Sequence, residues 1–297
     1  VGNDPKGYKE EPSKARPMAV DIRKTAHEMV KNGTWKLKGD TFYQALRLKS
    51  GVVGIVAYNG DFLFPETWGR KEKKEAREKL SFILGLDTDL DSFYSEISDS
   101  PFSFLVEEFK GLTVPAAPSP YQALVEVIAQ QQVNFEFAQR TIRNLVEMAG
   151  EKAGNIYVFP TAEKIASLSP DELKRAKLGY RAEYIKHVTE LYLKGELKLD
   201  LWEMDEKEAI KYLTAFRGIG KWTAELFLAY GLRKNTYPAG DLGLRRGIAK
   251  IFGKSVKEVK EKDVREILEP YGKWKGLLAF YITCYDRKTE LERRRIK

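Results

Sequence analysis

The feature that most constrains the fold is a change of hydrophobic periodicity at a proline-rich segment, residues 111–120. Its sequence, GLTVPAAPSP, contains three prolines and is typical of a linker or rigid strap between two units. Before it, short alternating runs rich in aromatic and β-branched residues predict strands. After it, apolar residues follow a helical repeat and strand signals vanish. The sequence therefore predicts an α+β protein, with a small antiparallel α/β unit followed by a mostly helical one.

The first unit is predicted to be an antiparallel meander. Ser50-Gly51 and Asn59-Gly60 interrupt the alternating runs, and Asn-Gly favours a tight hairpin. The predicted elements are strands at 35–37, 41–48, 52–58 and 61–64, with helices at 22–30 and 70–84. Residues 1–17 are polar and hold three prolines, so a poorly ordered arm is expected there. The expected division is an arm at 1–17, an α/β domain at 18–112 and a helical domain at 113–297.

The second unit is predicted to be a succession of helices joined by short turns of Gly, Pro, Asn and Ser. Their predicted positions are 121–130, 135–150, 162–167, 170–177, 181–194, 206–216, 222–230, 242–252 and 274–286. No run of about 18 uncharged apolar residues exists, so we expect no membrane-spanning segment.

Composition narrows the classes of function. The single cysteine, Cys284, excludes an internal disulfide and any four-cysteine zinc or iron–sulfur site, so no iron–sulfur cluster is expected. Acidic and basic residues are equal in number up to residue 117, so the whole net charge of +8 lies in the helical part. That excess fits a polyanionic partner such as DNA, and equally a solvated lysine-rich surface. Abundant charged residues with few Asn and Gln are common in heat-adapted intracellular proteins.

The most informative segment is LTAFRGIGKWTAELFLAYG, residues 213–231. Gly218 and Gly220 are predicted to form a tight turn around Ile219, which would fill the space between two helices. The second helix then starts near Lys221, and its first backbone N–H groups offer a site for a phosphate. An ordinary helix–helix turn is the alternative, since a lone Gly-x-Gly matches many turns.

The segment that follows the second helix is YPAGDLGLRR, residues 237–246. Asp241 falls where an N-cap belongs, directly ahead of the helix predicted over 242–252. Capping alone explains an Asp at this place and stabilises a helix by about 1 kcal/mol. The alternative is that the same carboxylate does chemistry, and only the combination with the hairpin favours that alternative.

Together, the hairpin and the Pro-x-Gly-Asp segment resemble the helix-hairpin-helix, Gly/Pro…Asp (HhH-GPD) superfamily of DNA glycosylases. PYQALVEVIAQQQVNFEFAQR, residues 120–140, is similar to the helix and loop that open the family's core. PYGKWKGLLAFY, residues 270–281, is similar to its closing helix. The resemblance covers residues 110–286 and points to the alkylation-repair (AlkA-like) branch, with the 8-oxoguanine branch as its neighbour. The α/β unit is similar to the TBP-like domain that precedes the core in both branches.

The resemblance implies a base excision repair enzyme that flips a damaged, alkylated purine out of double-stranded DNA and hydrolyses its N-glycosidic bond. Asp241 is the implied catalytic carboxylate, which stabilises positive charge on the sugar and orients or deprotonates water. Trp222, Trp274 and Phe135 are the implied pocket aromatics, whose electron-rich faces favour a cationic base. Core packing is the alternative for each of these three rings.

Further positions that match the family's motifs are assigned to DNA and to a cation. Gln131 and Gln132 lie in the loop that enters the minor groove, where Gln132 would fill the gap left by the flipped base; a plain surface loop is the alternative. The remaining DNA contacts are expected at the hairpin, from Gly218, Gly220, Lys221 and Thr223. The implied ligands of a monovalent cation, K⁺ or Na⁺, are the backbone carbonyls of Thr214, Phe216 and Ile219. No cofactor is expected for the chemistry.

The lysine that marks bifunctional family members lies two residues beyond the second hairpin glycine, where it forms a Schiff base with the sugar. Here that position is Trp222, and Lys221, one residue earlier, is rotated by about 100° on the helix. We therefore expect a glycosylase without lyase activity, acting as a monomer in the nucleoid-associated cytoplasm of a thermophilic prokaryote. Two alternatives stay open: an 8-oxoguanine-type glycosylase/lyase, and a non-catalytic DNA-binding protein that retains the hairpin.

Overall fold

Strands precede helices in the structure, as the change of periodicity predicts. The computed structural model describes residues 20–29 and 32–296, so the predicted arm at residues 1–17 lies outside the described residues. Within them, a four-stranded sheet comes first and helices dominate the rest, which confirms the α+β fold class.

The N-terminal sheet is an antiparallel meander whose strands follow chain order. Its strands are β1 (Trp35–Lys38), β2 (Thr41–Arg47), β3 (Val53–Tyr58) and β4 (Phe62–Leu63). Gly51 and Gly60 have positive φ in the second and third turns, a backbone region that glycine adopts without strain. Helices α1 (Ile22–Met29), α2 (Arg70–Leu84), α3 (Leu90–Ile97) and α4 (Phe104–Phe109) complete the first part of the chain. The sequence predicts the first two of these helices and misses the other two.

The second part of the chain is mainly helical, and each helix predicted there is present with ends that differ by a few residues, except that the last continues further. The helices are α5 (Pro120–Ala129), α6 (Phe135–Ala149), α7 (Ala162–Ser167), α8 (Pro170–Arg175), α9 (Arg181–Leu193), α10 (Glu206–Thr214), α11 (Lys221–Leu232), α12 (Leu242–Ile251), α13 (Glu261–Leu268) and α14 (Lys275–Ile296). Only α13 was not predicted. In the part of the chain that the structure describes, no helix is both long enough and apolar enough to cross a bilayer.

The prediction that strand signals end at the proline-rich segment is wrong. After α6, β5 (Glu151–Ala153) pairs with β6 (Ile156–Val158) in a short antiparallel hairpin. Its apolar side chains are buried in a small cluster with Ala45 of β2. Strands of three residues are too short to show an alternating pattern, so the sequence gives no periodic signal for them.

Two hydrophobic cores organise the described residues. One combines the N-terminal sheet and α1–α4 with α12, α13 and α14. The other is built from α5–α11. The hairpin helix α11 and helix α12 therefore belong to different cores, and any contact between them lies where the two cores meet. The domain boundaries at 17/18 and 112/113 stay a prediction.

Candidate active site

The two glycines of the turn between α10 and α11, Gly218 and Gly220, have different structural roles. Gly218 has φ +94°, and a Cβ there would lie 2.8 Å from the Tyr184 side chain. Gly220 is the N-cap of α11, with extended backbone and open space where its Cβ would be. Between them Ile219 is 3% exposed and packs in the second core, as expected. Gly218 is therefore required by the turn itself, whereas Gly220 leaves the start of α11 accessible.

Asp241 is the N-cap of α12, as the sequence predicts, and it is half-buried. Its Oδ1 accepts a hydrogen bond of 3.0 Å from the backbone N–H of Leu244. Its Oδ2 accepts one of 3.0 Å from the indole Nε1 of Trp222. Capping therefore accounts for one carboxylate oxygen, and the indole of Trp222 on the hairpin helix α11 orients the second.

The first two residues of α11, Lys221 and Trp222, face different partners. Lys221 is exposed and forms an ion pair with Glu261 of α13. A hydrogen bond from Lys221, reinforced by one from Arg265, holds the pKa of the Glu261 carboxyl below its usual range. Because successive helix residues are rotated by about 100°, Trp222 and not Lys221 reaches Asp241.

Helix α12 packs closely on α14 through two glycines one turn apart. A Cβ on Gly247 would lie 2.6 Å from the backbone oxygen of Ile282. A Cβ on Gly243 would lie 3.1 Å from Oδ1 of Asp241 and 3.5 Å from Oδ2 of Asp286. Two carboxylates, one at the start of α12 and one on α14, therefore approach the same glycine.

Asp286 is a fully buried carboxylate that the sequence reasoning did not single out. It accepts hydrogen bonds from Arg246 at 2.8 Å and from Lys250 at 2.7 Å, both on α12. Donating to the Asp286 carboxylate raises the pKa of the Arg246 guanidinium, so this cation stays charged. These paired charges fix α12, which begins after Asp241, to α14. The Gly-x-x-x-Gly spacing at 243 and 247 is the sequence signal that would have indicated this close packing.

The loop between α5 and α6, residues 130–134, is named the Gln loop here, and the structure joins it to the hairpin. Nε2 of Gln131 donates to the Gly218 carbonyl at 2.8 Å and to the Thr223 hydroxyl at 3.0 Å. Gln132 is exposed and has φ +53°, a left-handed conformation that strains any residue other than glycine. Gln131 therefore anchors the loop, while Gln132 is left at the surface.

Arg181, at the start of α9, is a second residue that the sequence reasoning missed. It is 6% exposed, and its Nε donates to the Gln131 carbonyl at 2.7 Å. Its Nη1 donates to the Leu178 carbonyl at 3.1 Å, and the guanidinium lies 4.8 Å from the Tyr180 ring. Among the described residues no carboxylate pairs with it, so this buried cation is used to hold backbone carbonyls. A contact over 50 residues leaves no signal in the local sequence.

The three aromatic side chains predicted to form a base pocket have different neighbours. Trp274 packs on Phe93 with ring centroids 5.7 Å apart, beside the first core. Phe135 opens α6 and lies beneath the Arg287 guanidinium of α14, 4.5 Å from it. Trp222 is the member of the three that donates to the N-cap carboxylate of α12. The pocket role of Trp274 and Phe135 stays a prediction.

The carbonyls predicted to bind a cation belong to Thr214, Phe216 and Ile219, at the end of α10 and in the hairpin. The last carbonyls of a helix lack intrahelical partners, so they are available to other donors or to ions. The Phe216 carbonyl accepts one hydrogen bond of 3.1 Å from the Ile219 N–H, which leaves it a second lone pair. Three neutral oxygens fit the chemistry of K⁺ or Na⁺. This site also stays a prediction.

Comparison with known proteins places this arrangement in a family. Residues 125–273 match the family model described as "HhH-GPD superfamily base excision DNA repair protein". The DNA-3-methyladenine glycosylase of Bacillus subtilis is 33% identical over 236 residues, which cover 77% of each chain. The chain belongs to the HhH-GPD superfamily. The HhH-GPD relationship predicted from the hairpin and the Pro-x-Gly-Asp segment is confirmed, and with it the prediction of a base excision repair DNA glycosylase.

Solved structures of DNA glycosylases match this chain over more than nine-tenths of its length, which includes the N-terminal sheet as well as the helical core. The 3-methyladenine DNA-glycosylase from Archaeoglobus fulgidus gives a TM-score of 0.80 at 27% identity, covering 91% of this chain and 97% of that one. An 8-oxoguanine glycosylase/lyase from Clostridium acetobutylicum, in complex with double-stranded DNA, gives 0.75 at 20% identity over 92% and 93%. The alkylation-repair and 8-oxoguanine glycosylases, which the sequence analysis kept as alternatives, therefore share this fold.

Proposed function

We propose that this HhH-GPD glycosylase excises alkylated purines from double-stranded DNA, with Asp241 as its catalytic carboxylate and without lyase activity. The observation that carries the proposal is the hydrogen bond between Trp222 and Asp241, directly beside the hairpin glycines. It brings an oriented carboxylate next to the open start of α11, which a DNA phosphate can approach.

DNA is proposed to bind across the hairpin and the Gln loop. The first N–H groups of α11, at Lys221 and Thr223, have no partner within the helix and meet the phosphate together with Gly218 and Gly220. The net charge of +8, carried after residue 117, attracts the DNA backbone. Gln132 fills the gap in the duplex, and the bonds that anchor its neighbour keep the Gln loop in register with the hairpin.

The proposed chemistry uses the flipped nucleotide and one carboxylate. As the bond between C1′ and the base nitrogen breaks, positive charge develops on the sugar, and the Asp241 anion stabilises it. Each of its oxygens accepts one hydrogen bond from the protein and can accept another. Asp241 can therefore also orient water for addition at C1′ and take its proton, which yields a free base and an abasic sugar.

The substrate class follows from charge and leaving-group chemistry. Purines alkylated at a ring nitrogen such as N3 or N7 carry positive charge, which an aromatic face attracts through its quadrupole. Trp222 lies at the carboxylate, and Trp274 and Phe135 are the further proposed walls of the pocket. A cationic base is also a good leaving group, so modest shape discrimination suffices. Relatives in Bacillus subtilis and Archaeoglobus fulgidus carry the name 3-methyladenine glycosylase, which supports this class.

The absence of lyase activity is proposed from the position of Lys221. A lysine that forms a Schiff base attacks C1′ as the neutral amine. The ion pair with Glu261 directs the Lys221 side chain to α13 rather than to Asp241, so its amine does not lie where attack on C1′ requires it. A K⁺ or Na⁺ ion bound to the backbone carbonyls of Thr214, Phe216 and Ile219 would reinforce the hairpin beside the phosphate. The enzyme is also proposed to act as a monomer.

A panel of duplexes tests the proposal. Each duplex carries one alkylated, deaminated or oxidised base, and strand breaks are scored before and after alkali. We expect breaks at alkylated purines that appear only after alkali, because alkali cleaves the abasic product. Breaks before alkali, together with protein trapped on abasic DNA by borohydride, would instead identify a glycosylase/lyase. Release confined to oxidised bases would contradict the proposed substrate class.

A further inference from the structure

A cavity of about 350 Å³ opens beside helix α6, apart from Asp241 and the hairpin. Its wall on α6 is formed by Phe137, Arg140, Thr141 and Asn144, which follow the spacing i, i+3, i+4 and i+7. One face of the helix therefore lines it. Lys177, in the loop between α8 and α9, closes the opposite side.

The cavity carries an excess of positive charge. Arg140, Arg143 and Lys177 line it against a single acid, Glu147. Within the described residues, Arg140 and Lys177 make no ion pair, although many basic residues of this chain do. Arg140 lies 5.8 Å from the Phe137 ring, which supports the guanidinium without neutralising it. Unpaired cations on both walls favour an anionic ligand.

A buried hydroxyl gives an independent indication of a ligand. Thr141 is 1% exposed, and among the described residues its Oγ1 has no hydrogen-bond partner. Leaving a buried polar group unpaired costs free energy, so an unpaired hydroxyl that lines a cavity indicates a place for a hydrogen-bonding ligand. The amide of Asn144, one turn further along the same face, makes only a long bond of 3.4 Å to the Ala176 carbonyl. An oxygen-rich anion would accept from both groups.

The position of the cavity links it to the DNA-binding surface. Helix α6 begins where the Gln loop ends, at the N-cap Asn134. On the opposite wall, Lys177 is followed closely by Arg181, whose Nε holds the Gln131 carbonyl. The two walls are therefore the two segments that flank and support the Gln loop.

We propose that this cavity is a phosphate-binding subsite, in which Arg140, Lys177 and the Thr141 hydroxyl bind the phosphate oxygens. The mixture of arginine, lysine and hydroxyl donors suits phosphate, whose oxygens accept several hydrogen bonds at once. Two sources supply this group: a phosphodiester of the DNA strand beside the Gln loop, or a free nucleotide. The inference goes beyond the role of Asp241 and does not depend on it.

The salt dependence of DNA binding tests the first source. We expect the Arg140→Met and Lys177→Met double variant to show a slope of log Kobs against log salt that is smaller by about 0.9 for each lost contact. Lys71→Met is the matched control, since Lys71 is exposed on α2 and lies outside the cavity. Base release from saturating damaged DNA in a single turnover should be unchanged in all variants.

A free-anion arm tests the second source. Inorganic phosphate and a deoxynucleoside monophosphate are titrated while the melting temperature is followed in the parent protein, the double variant and Thr141→Val. Valine has nearly the shape of threonine, so this variant removes the hydroxyl without opening a cavity. If a free nucleotide is the source, we expect phosphate or the nucleotide to raise the melting temperature of the parent protein, and we expect this increase to be lost in the double variant and in Thr141→Val.

The two arms separate the outcomes. A smaller salt slope without free-anion stabilisation identifies a DNA phosphodiester, and free-anion stabilisation without a slope change identifies a nucleotide. An unchanged slope together with no difference between parent and variants toward free phosphate overturns the proposal. Base release at the parent rate from Asp241→Asn would remove the proposed catalytic role, while a smaller salt slope of the Arg140→Met and Lys177→Met double variant would still support this subsite.

Discussion

Glu126 on α5 is a buried carboxylate that forms no ion pair within the described residues, and it makes the stability of this protein depend on pH. Its Oε1 accepts from Gln122 at 2.8 Å and its Oε2 from the Tyr230 hydroxyl of α11 at 2.5 Å. Burial dominates over these two hydrogen bonds and raises the pKa of Glu126 to about 7. The folded protein therefore holds a proton on Glu126 that the unfolded chain releases near its ordinary pKa of 4.5.

The sign and size of the effect follow from this difference. Below the pKa of Glu126 in the unfolded chain, the carboxyl is protonated in both the folded and the unfolded state, so it does not change the free energy of unfolding. As pH rises toward 7, only the unfolded state ionises, so stability falls; above 7 the loss is complete. The gap between 4.5 and about 7, at 1.36 kcal/mol per pKa unit, amounts to about 3 kcal/mol. Substitution by glutamine removes this penalty and keeps the shape of the side chain.

Guanidinium unfolding of the parent protein and Glu126→Gln at several pH values measures the effect. We expect the variant's advantage in free energy of unfolding to grow by about 3 kcal/mol between about pH 4 and pH 8.5. Glu96→Gln is the control, because Glu96 is exposed on α3, and its difference from the parent should stay flat. A difference between Glu126→Gln and the parent that does not change with pH would refute the reasoning.

Three further predictions concern the surroundings of the carboxylate. Gly243→Ala places a methyl group 3.1 Å from the nearer oxygen of Asp241. Single-turnover base release should therefore slow about 10- to 100-fold, with DNA affinity unchanged. An unaltered rate would show that the carboxylate tolerates displacement. Glu261→Gln frees Lys221 from its ion pair, yet borohydride should trap no protein on abasic DNA, because Lys221 faces away from the carboxylate. Asp286→Asn leaves two cations without their buried partner and should lower the free energy of unfolding by about 3 kcal/mol in denaturant titrations; full stability would contradict the pairing.

The sequence predicts local elements well where a periodic run is long or a turn needs glycine. Helix α2 has the predicted ends, and the turns at Gly51 and Gly60 lie where Ser-Gly and Asn-Gly place them. The hairpin and the N-cap at Asp241 are also predicted, because each depends on residues close together in the chain. These features are fixed by backbone conformation and capping, which the local sequence encodes.

What the sequence does not predict depends on contacts between distant segments. The bond from Arg181 to the Gln loop joins residues 50 apart, and the pairing of Arg246 with Asp286 spans 40. The hairpin of β5 and β6 forms because its apolar side packs near β2, a partner that no local pattern identifies. The grouping of α12–α14 with the N-terminal sheet in one core likewise requires the three-dimensional arrangement. Residues that support the site therefore emerged only from the structure.

The central claim is tested most directly by measuring base release and DNA binding on one variant, Asp241→Asn. Asparagine keeps an oxygen to cap α12 but carries no negative charge to stabilise the sugar. The account predicts that single-turnover release of an alkylated purine becomes undetectable, while the protein binds the same duplex as tightly as the parent or more tightly. Release at the parent rate, from a variant shown to be folded, would contradict it.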